Sequence, residues 1–183
     1  MEALNAWLVD SGDGWVLIDC GMHTTAGWAA LQREVAAAGV EWNRVRSLLI
    51  THMHPDHVGL AEQVKQISGA QVAMHWRDAE LLREFVKPET AEHWNRVALE
   101  LAGSPAEMLG PVNAAFHLLT VKFPDLTPDL LLEGSERFGC LEAMLTPGHS
   151  PGHLCFFRSR PKAAIQRRSN SGNHFAEYWL ASG

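Results

Sequence analysis

The sequence predicts an α/β fold, and three stretches carry that prediction. Near the N-terminus "NAWLVD" and "WVLIDCG" alternate or run apolar on either side of "DSGDG", which reads as a β-hairpin. The apolar run "RVRSLLIT", the helical pattern "DHVGLAEQVKQISG" and the strand "AQVAMH" then follow in the order strand, loop, helix, strand. That order is a βαβ unit, which implies parallel strands with a helix packed across them. Later, "DLLLEGSERFGCLEAMLTPGHSPGHLCFF" returns to strands and turns, with Gly134, Gly139, Gly148 and Gly152 as punctuation.

The elements between these follow from local signals. "TTAGWAALQREVAAAG" is a helix: Thr24 or Thr25 supplies the cap, Leu31 and Val35 stand one turn apart, and Gly39 ends it. "RVRSLLIT" is nearly continuous in apolar residues, as expected of a strand covered on both faces. Residues 76 to about 122 read as helical, with "SPAEM" from Ser104 to Met108 forming a capping box and Pro at the first helical position. This segment interrupts the strands like an insertion that covers a site. No internal repeat is visible.

With 183 residues, 46% apolar and 20% charged, the chain reads as one globular domain. It has no apolar run of membrane-spanning length, and "MEALNAWLVDSGDGW" lacks the features of a signal peptide, so the expected location is cytoplasmic. Cys20, Cys140 and Cys155 are odd in number and far apart, and read as small buried hydrophobes rather than a disulfide framework. The net charge of −6 is uneven: residues 1–157 carry 10 basic and 20 acidic side chains, and residues 158–183 carry five basic and one acidic. An acidic body argues against a nucleic-acid partner, because phosphate binding requires a basic surface.

The chemistry concentrates in "THMHPDHVG", at the C-terminal end of "VRSLLI". On an extended segment, residues two apart point the same way, so His52 and His54 can grip one ion together. Imidazole suits zinc, iron or copper. Asp56 and His57 project elsewhere and could begin a second site; Asp56 also fits a helix start, where the macrodipole favours an acid. A catalytic metal needs three protein ligands and an open position. The third candidate is His149, in the Gly/Pro-shaped turn of "TPGHSPGH"; His153 reads as a neighbour. His23, His75, His93, His117 and His174 are isolated and carry no assigned role.

"HMHPDH", read as H-x-H-x-D-H, together with "TPGHSPGH" and the leading "NAWLVDSGDGWVLIDCG", resembles the metallo-β-lactamase superfamily, nearest its glyoxalase II-like hydrolases. The resemblance spans residues 4 to about 157. It implies an αββα sandwich with a dinuclear metal centre at one sheet edge. His52, His54 and His149 would bind the first metal, Asp56 and His57 the second, and Asp19 in "LIDCG" would match a supporting aspartate behind the ligands. Zinc is the expected metal, as one ion or two, with iron or manganese accommodated by the same donors. The implied reaction is hydrolysis of a small-molecule thioester, ester or lactone by a metal-activated water, with Asp56 orienting that water and taking its proton.

The family also uses an aspartate bridging both metals, in a "GD" motif after the TPGH strand, and a further histidine. Residues 158–183 hold no aspartate, the last being Asp129, and their one histidine, His174, is assigned no such role. We read this basic tail, which shows no clear strand or helix pattern, as out of frame. With allowed codons, Arg158 to Leu180 reread one base later gives "DPDRRLLFSGDQILAITSPNIGL", which restores "SGD" where the family has it. The domain thus comprises residues 1–157, with the helical insertion at about 76–122, and is incomplete at its C-terminus and, with no strand before "NAWLV", at its N-terminus. Without the bridging ligand, one metal binds tightly, the second weakly, and activity is low; the alternative is a non-catalytic pseudoenzyme holding one metal or none. Sequencing the coding DNA for Arg158 to Gly183 should reveal G-D-Q in the shifted frame. Codons that cannot encode it there would make the basic tail genuine.

Overall fold

The computed structural model describes residues 5–105, 107–108, 110–111, 123–158 and 177–181. Among them, strands β1 (Asn5–Asp10), β2 (Trp15–Ile18), β3 (Val45–Leu49), β4 (Gln71–His75), β5 (Leu130–Leu132) and β9 (Glu177–Ala181) form one sheet, in the order β5-β4-β3-β2-β1-β9. Strands β6 (Arg137–Phe138), β7 (Leu141–Leu145) and β8 (Leu154–Arg158) form a second, in the order β6-β7-β8. The β1–β2 hairpin forms as expected, closed by a Ser11 N–H to Gly14 carbonyl bond of 2.9 Å. Strands β2 to β5 run parallel, so the βαβ reading holds.

Alternation along these strands sorts side chains into two cores. Leu8, Leu17, Leu48, Val72 and Met74 face the helices, joined by Leu31 and Val35 from α1 (Thr25–Ala37) and Val64 from α3 (Ala61–Ser68). Val9, Val16, Ile18, Leu49, Ala73 and Leu132 face the opposite way and meet Leu141 and Leu154 of the second sheet. Leu48 and Leu49 are both fully buried although they point to opposite faces, which is why β3 is apolar throughout. This is a helix layer on a sheet packed against a second sheet.

Helix α1 is capped by Thr24, whose Oγ1 accepts from the Gly27 N–H at 2.9 Å, and Gly39 ends the segment at φ +71°. The helix expected after the histidine cluster is broken into α2 (Pro55–Val58) and α3. Gly59 and Leu60 sit at the break because the Gly21–His23 loop presses on it: Leu60 N–H donates to the Gly21 carbonyl at 3.2 Å. A methyl group at Gly59 would lie 2.5 Å from His23 N. The expected helical segment, 76 to about 122, begins with α4 (Trp76–Phe85) and α5 (Pro88–Leu101); its end, residues 112–122, lies outside those described.

Two expectations need correction. The tail, expected to show no clear strand, supplies β9, which pairs antiparallel with β1, with Trp7 opposite Trp179. "EYWLA" combines aromatic and apolar residues that suit a strand, and the outer edge of β1 offers backbone groups to pair. The rest of residues 159–183 lies outside the described residues. Of the cysteines, only Cys20 is buried; Cys140 is half-buried and Cys155 is exposed, on the outward face of β8. Gly59→Ala should destabilise the chain by about 1–3 kcal/mol, the usual cost of overpacking, measured as a lower urea midpoint. An unchanged midpoint would mean that the Gly21–His23 loop is not packed against this break.

Candidate metal centre

Strands β2 and β3 end side by side, and the site grows from their C-terminal ends. The Asp19 N–H continues the pairing by donating to the Leu49 carbonyl at 2.9 Å. Asp19 has φ +57°, the one non-glycine among the described residues in the left-handed region, and is 4% exposed. That turn directs its carboxylate across to the next loop. Oδ1 accepts the Thr51 N–H at 2.8 Å, and Oδ2 accepts the Thr51 hydroxyl at 2.7 Å. His57 Nδ1 lies 2.8 Å from the same Oδ2.

This arrangement fixes tautomers. A carboxylate only accepts, so the Thr51 hydroxyl spends its proton on Asp19 and must accept at its contact with His52 Nδ1, 3.0 Å away. His52 therefore carries its proton on Nδ1 and presents a bare Nε2. By the same logic His57 donates Nδ1–H to Asp19 and leaves Nε2 facing Asp56 Oδ2 at 3.5 Å.

His52 Nε2 is buried and has no hydrogen-bond partner. A buried ring nitrogen without a partner is costly. It points into a group in which ring nitrogens of His52, His54 and His149 all lie within 4.8 Å of one another. His54 Nδ1 and His149 Nε2 stand 3.0 Å apart. Two nitrogens bound to one tetrahedral zinc at 2.0–2.1 Å would be separated by about 3.3 Å, so the three donors fit a single ion. Burial of His52, increasing from 3% exposure outward to the exposed His149, leaves the cluster open on one side.

The electrostatics favour a cation. Burial, followed by the neighbouring His57, His54, His149 and His153, lowers the His52 pKa to about 3. Burial and then His149 lower that of His54, and the same two causes lower that of His153. His57 goes the other way: burial pulls its pKa down, but the hydrogen bond and charge of Asp19, aided by Asp56, outweigh it and leave it raised.

The structure thus brings His52, His54 and His149 together, as the sequence suggested, and sets Asp56, His57 and Asp19 directly beside them. His153 is a neighbour, its ring centroid 5.2 Å from that of His52 and its Nδ1 2.9 Å from Thr146 Oγ1. Two polar residues at the site escaped the sequence reading. Thr51 precedes the motif as an ordinary strand-end residue, yet it relays Asp19 to His52. Asp78 lies 24 residues beyond His54 and bonds to both histidine loops; nothing but its place in the first turn of α4 marked it.

A family model described as the metallo-beta-lactamase superfamily matches residues 2–165, and the chain belongs to that superfamily. Among curated proteins, it is 25% identical over 162 residues to a probable metallo-hydrolase, YqjP, of Bacillus subtilis, covering 81% of this chain and 47% of the relative. It is 26% identical over 159 residues to a hydroxyacylglutathione hydrolase of Pseudomonas putida, covering 82% of this chain and 44% of the relative. The chain therefore spans about half the length of the curated relatives it matches. Among solved structures, a Cronobacter sakazakii metallo-β-lactamase with a HARLDQ motif superposes with a TM-score of 0.61 at 26% identity, over 85% of this chain and 51% of that one. The subclass B3 metallo-β-lactamase BJP-1 of Bradyrhizobium japonicum shares the fold with a TM-score of 0.62 at 21% identity, over 99% of this chain and 56% of that one.

The lowered pKa of His52 sets a pH signature for the metal-free chain. Between about 3 and the ordinary 6.5, the unfolded state binds a proton that the folded state refuses, so stability rises with pH across that window. His54 and His153 act in the same direction. His57 acts oppositely, stabilising below its unfolded value and losing that contribution as pH rises through its raised folded value. The chelator-treated protein should show a higher urea midpoint at pH 7 than at pH 4.5, and His52→Asn should flatten the difference. A midpoint that falls between pH 4.5 and pH 7 would contradict the buried, neutral His52.

Proposed function

We propose that this chain is a metal-dependent hydrolase acting on a small-molecule thioester, ester or lactone, with zinc as its metal. The observation that carries this reading is the unpartnered, buried His52 Nε2 aimed into the ring nitrogens of His54 and His149. The hydroxyacylglutathione hydrolases of Pseudomonas putida among its relatives support an acyl-transfer substrate. The acidic body of residues 1–157 fits a small substrate better than nucleic acid. No helix among the described residues is long and apolar enough to cross a membrane.

In this reading His52, His54 and His149 hold the first ion, and Asp56 and His57 contribute to a weaker second one. Bound there, zinc would supply Lewis acidity toward the acyl carbonyl and make water a nucleophile near neutral pH. The chain's own groups do the rest. Asp19 holds His57 by Nδ1 and, through Thr51, holds His52 by Nδ1, so each ring turns its Nε2 away from these anchors and His52 keeps its Nε2 free of protons. Asp56, 3.5 Å from His57 Nε2 and partly exposed, orients the attacking water and takes its proton on a carboxylate oxygen. The acyl–sulfur or acyl–oxygen bond then breaks, the proton held by Asp56 passes to the departing sulfur or oxygen, and the acid with its thiol or alcohol (for a lactone, one hydroxy acid) leaves by the open side near His149.

A second reading is favoured by one observation: among the described residues, the group able to hold an ion comprises these three histidines. A one-metal protein of low activity, or a non-catalytic one, is consistent with that. Zinc titration against a chromophoric chelator separates the readings from each other and from no binding. One tight equivalent, lost in His52→Ala and His149→Ala, is expected. Hydrolysis of a thioester, aryl ester and lactone panel by the zinc-loaded chain, with Asp56→Asn lowering the rate at least 100-fold by loss of general-base catalysis, would establish the hydrolase. Tight zinc binding without turnover would leave the non-catalytic protein, and the absence of zinc binding would remove the metal reading altogether.

A further inference from the structure

Asp78 is fully buried, at 0% exposure, in the first turn of α4. A carboxylate at that position would ordinarily satisfy its own helix terminus. Here that duty is partly taken by His75, whose Nδ1 accepts the Arg77 N–H at 3.1 Å. The oxygens of Asp78 turn instead to two distant loops. Oδ2 accepts the Met53 N–H at 3.0 Å and the Ser150 hydroxyl at 2.7 Å, and Oδ1 accepts the Gly152 N–H at 2.6 Å.

The sequence positions of these donors give the contacts their meaning. Met53 lies between His52 and His54, and Ser150 directly follows His149. One carboxylate therefore fixes the backbone of the loop supplying two of the clustered imidazoles and the loop supplying the third. Besides Asp78, the two loops are joined by the Leu154 N–H to Thr51 carbonyl bond, at 2.8 Å, and by the 3.0 Å contact of His54 Nδ1 with His149 Nε2. Gly152 shows how closely the parts are fitted. A methyl group there would lie 2.6 Å from Asp78 Oδ1 and 2.8 Å from His75 Nδ1. Neutral N–H and O–H donors compensate the burial of this charge, and all of them belong to the histidine loops.

We infer that Asp78 is a positioning residue: it clamps the Met53 and Ser150–Gly152 backbones in one register so that His52, His54 and His149 converge, and the affinity of the site for metal depends on it. This rests on the metal-binding reading above. An asparagine at the position would turn an N–H₂ group toward one of the donors, and an alanine would leave them all unpaired. Either change lets the loops separate by the few tenths of an ångström that tetrahedral coordination does not tolerate.

The test uses the full chain, with Asp78→Asn and the milder Ser150→Ala, which removes one of the bonds and leaves the carboxylate in place. Zinc affinity is measured by chelator competition per folded molecule, and the visible spectrum of the cobalt-substituted protein reports ligand geometry. Removing an outer hydrogen-bond partner of metal ligands typically weakens binding 10–100-fold. We expect about 10-fold for Ser150→Ala and about 100-fold for Asp78→Asn, each with an altered cobalt spectrum. A role confined to fold stability would lower the melting temperature and leave affinity and spectrum as in the parent, which overturns the inference. If Asp78→Asn fails to fold, Ser150→Ala decides alone. A parent that binds no zinc overturns the metal reading and this inference with it, whereas a parent and variants that bind equally overturn this inference only.

Discussion

Strands β2 and β3 run parallel and stop at the same level, and the candidate centre depends on that one constraint. Because Ile18 pairs with Leu49, the residues just past each strand, Asp19 and Ile50–Thr51, emerge together at the sheet's C-terminal edge. A parallel pair ends with backbone groups that the ladder no longer satisfies. Asp19 meets that need by accepting from both the Thr51 amide and the Thr51 hydroxyl. The carboxylate is buried, which would be costly alone, but its donors are drawn from the loop it must hold. Tautomer control of His52 and His57 follows from the same contacts. An antiparallel partner at this edge would have sent the two segments to opposite ends and left no common place for the imidazoles.

The second sheet completes the cluster through packing. Leu141 and Leu154 join Val16, Ile18 and Leu49 in the core between the sheets, so β7, β8 and the loop between them are pressed against the end of β3. That loop carries His149. Its approach is finished by polar contacts: Leu154 donates to Thr51, and Asp78 reaches both sides from the start of α4. The hydrophobic core brings the layers within reach of one another. The final register, on which nitrogen-to-nitrogen distances depend, is set by a few directional bonds. Two buried carboxylates thus occupy opposite flanks of the histidines, Asp19 toward the hairpin and Asp78 toward the helices.

These carboxylates also shape the field at the centre. Asp19 raises the pKa of His57, whereas burial and the other imidazoles lower that of His52. Without metal, His52 is therefore a neutral ring with an inward lone pair, crowded by other imidazoles and beside acids that favour positive charge. Such a group is poorly satisfied by protons and well satisfied by a cation. Membership of the metallo-β-lactamase superfamily and this local arrangement agree, although they rest on different observations.

Much of this was written in the sequence because its signals are local. The hairpin announced itself through alternation around "DSGDG", β3 through an unbroken apolar run, and α1 through Thr24 and Gly39. His52, His54 and His57 stood close enough in the chain to be read as one group, and the companion "TPGHSPGH" pointed to His149. Other features depended on residues far apart. Gly59 breaks a helix only because the Gly21–His23 loop lies against it, so a helical pattern ran straight through. The strand at Glu177–Ala181 needed the free edge of β1, which no property of the tail records. Thr51 and Asp78 looked like an ordinary strand end and helix start. Their importance lies in which donors and acceptors the packed layers bring within 3 Å. The sequence by itself determined the donors and the strands that carry them, through residue type and period. Only the tertiary structure decided which nitrogen of each ring faces inward, because that follows from hydrogen bonds between segments that meet after the sheets have packed.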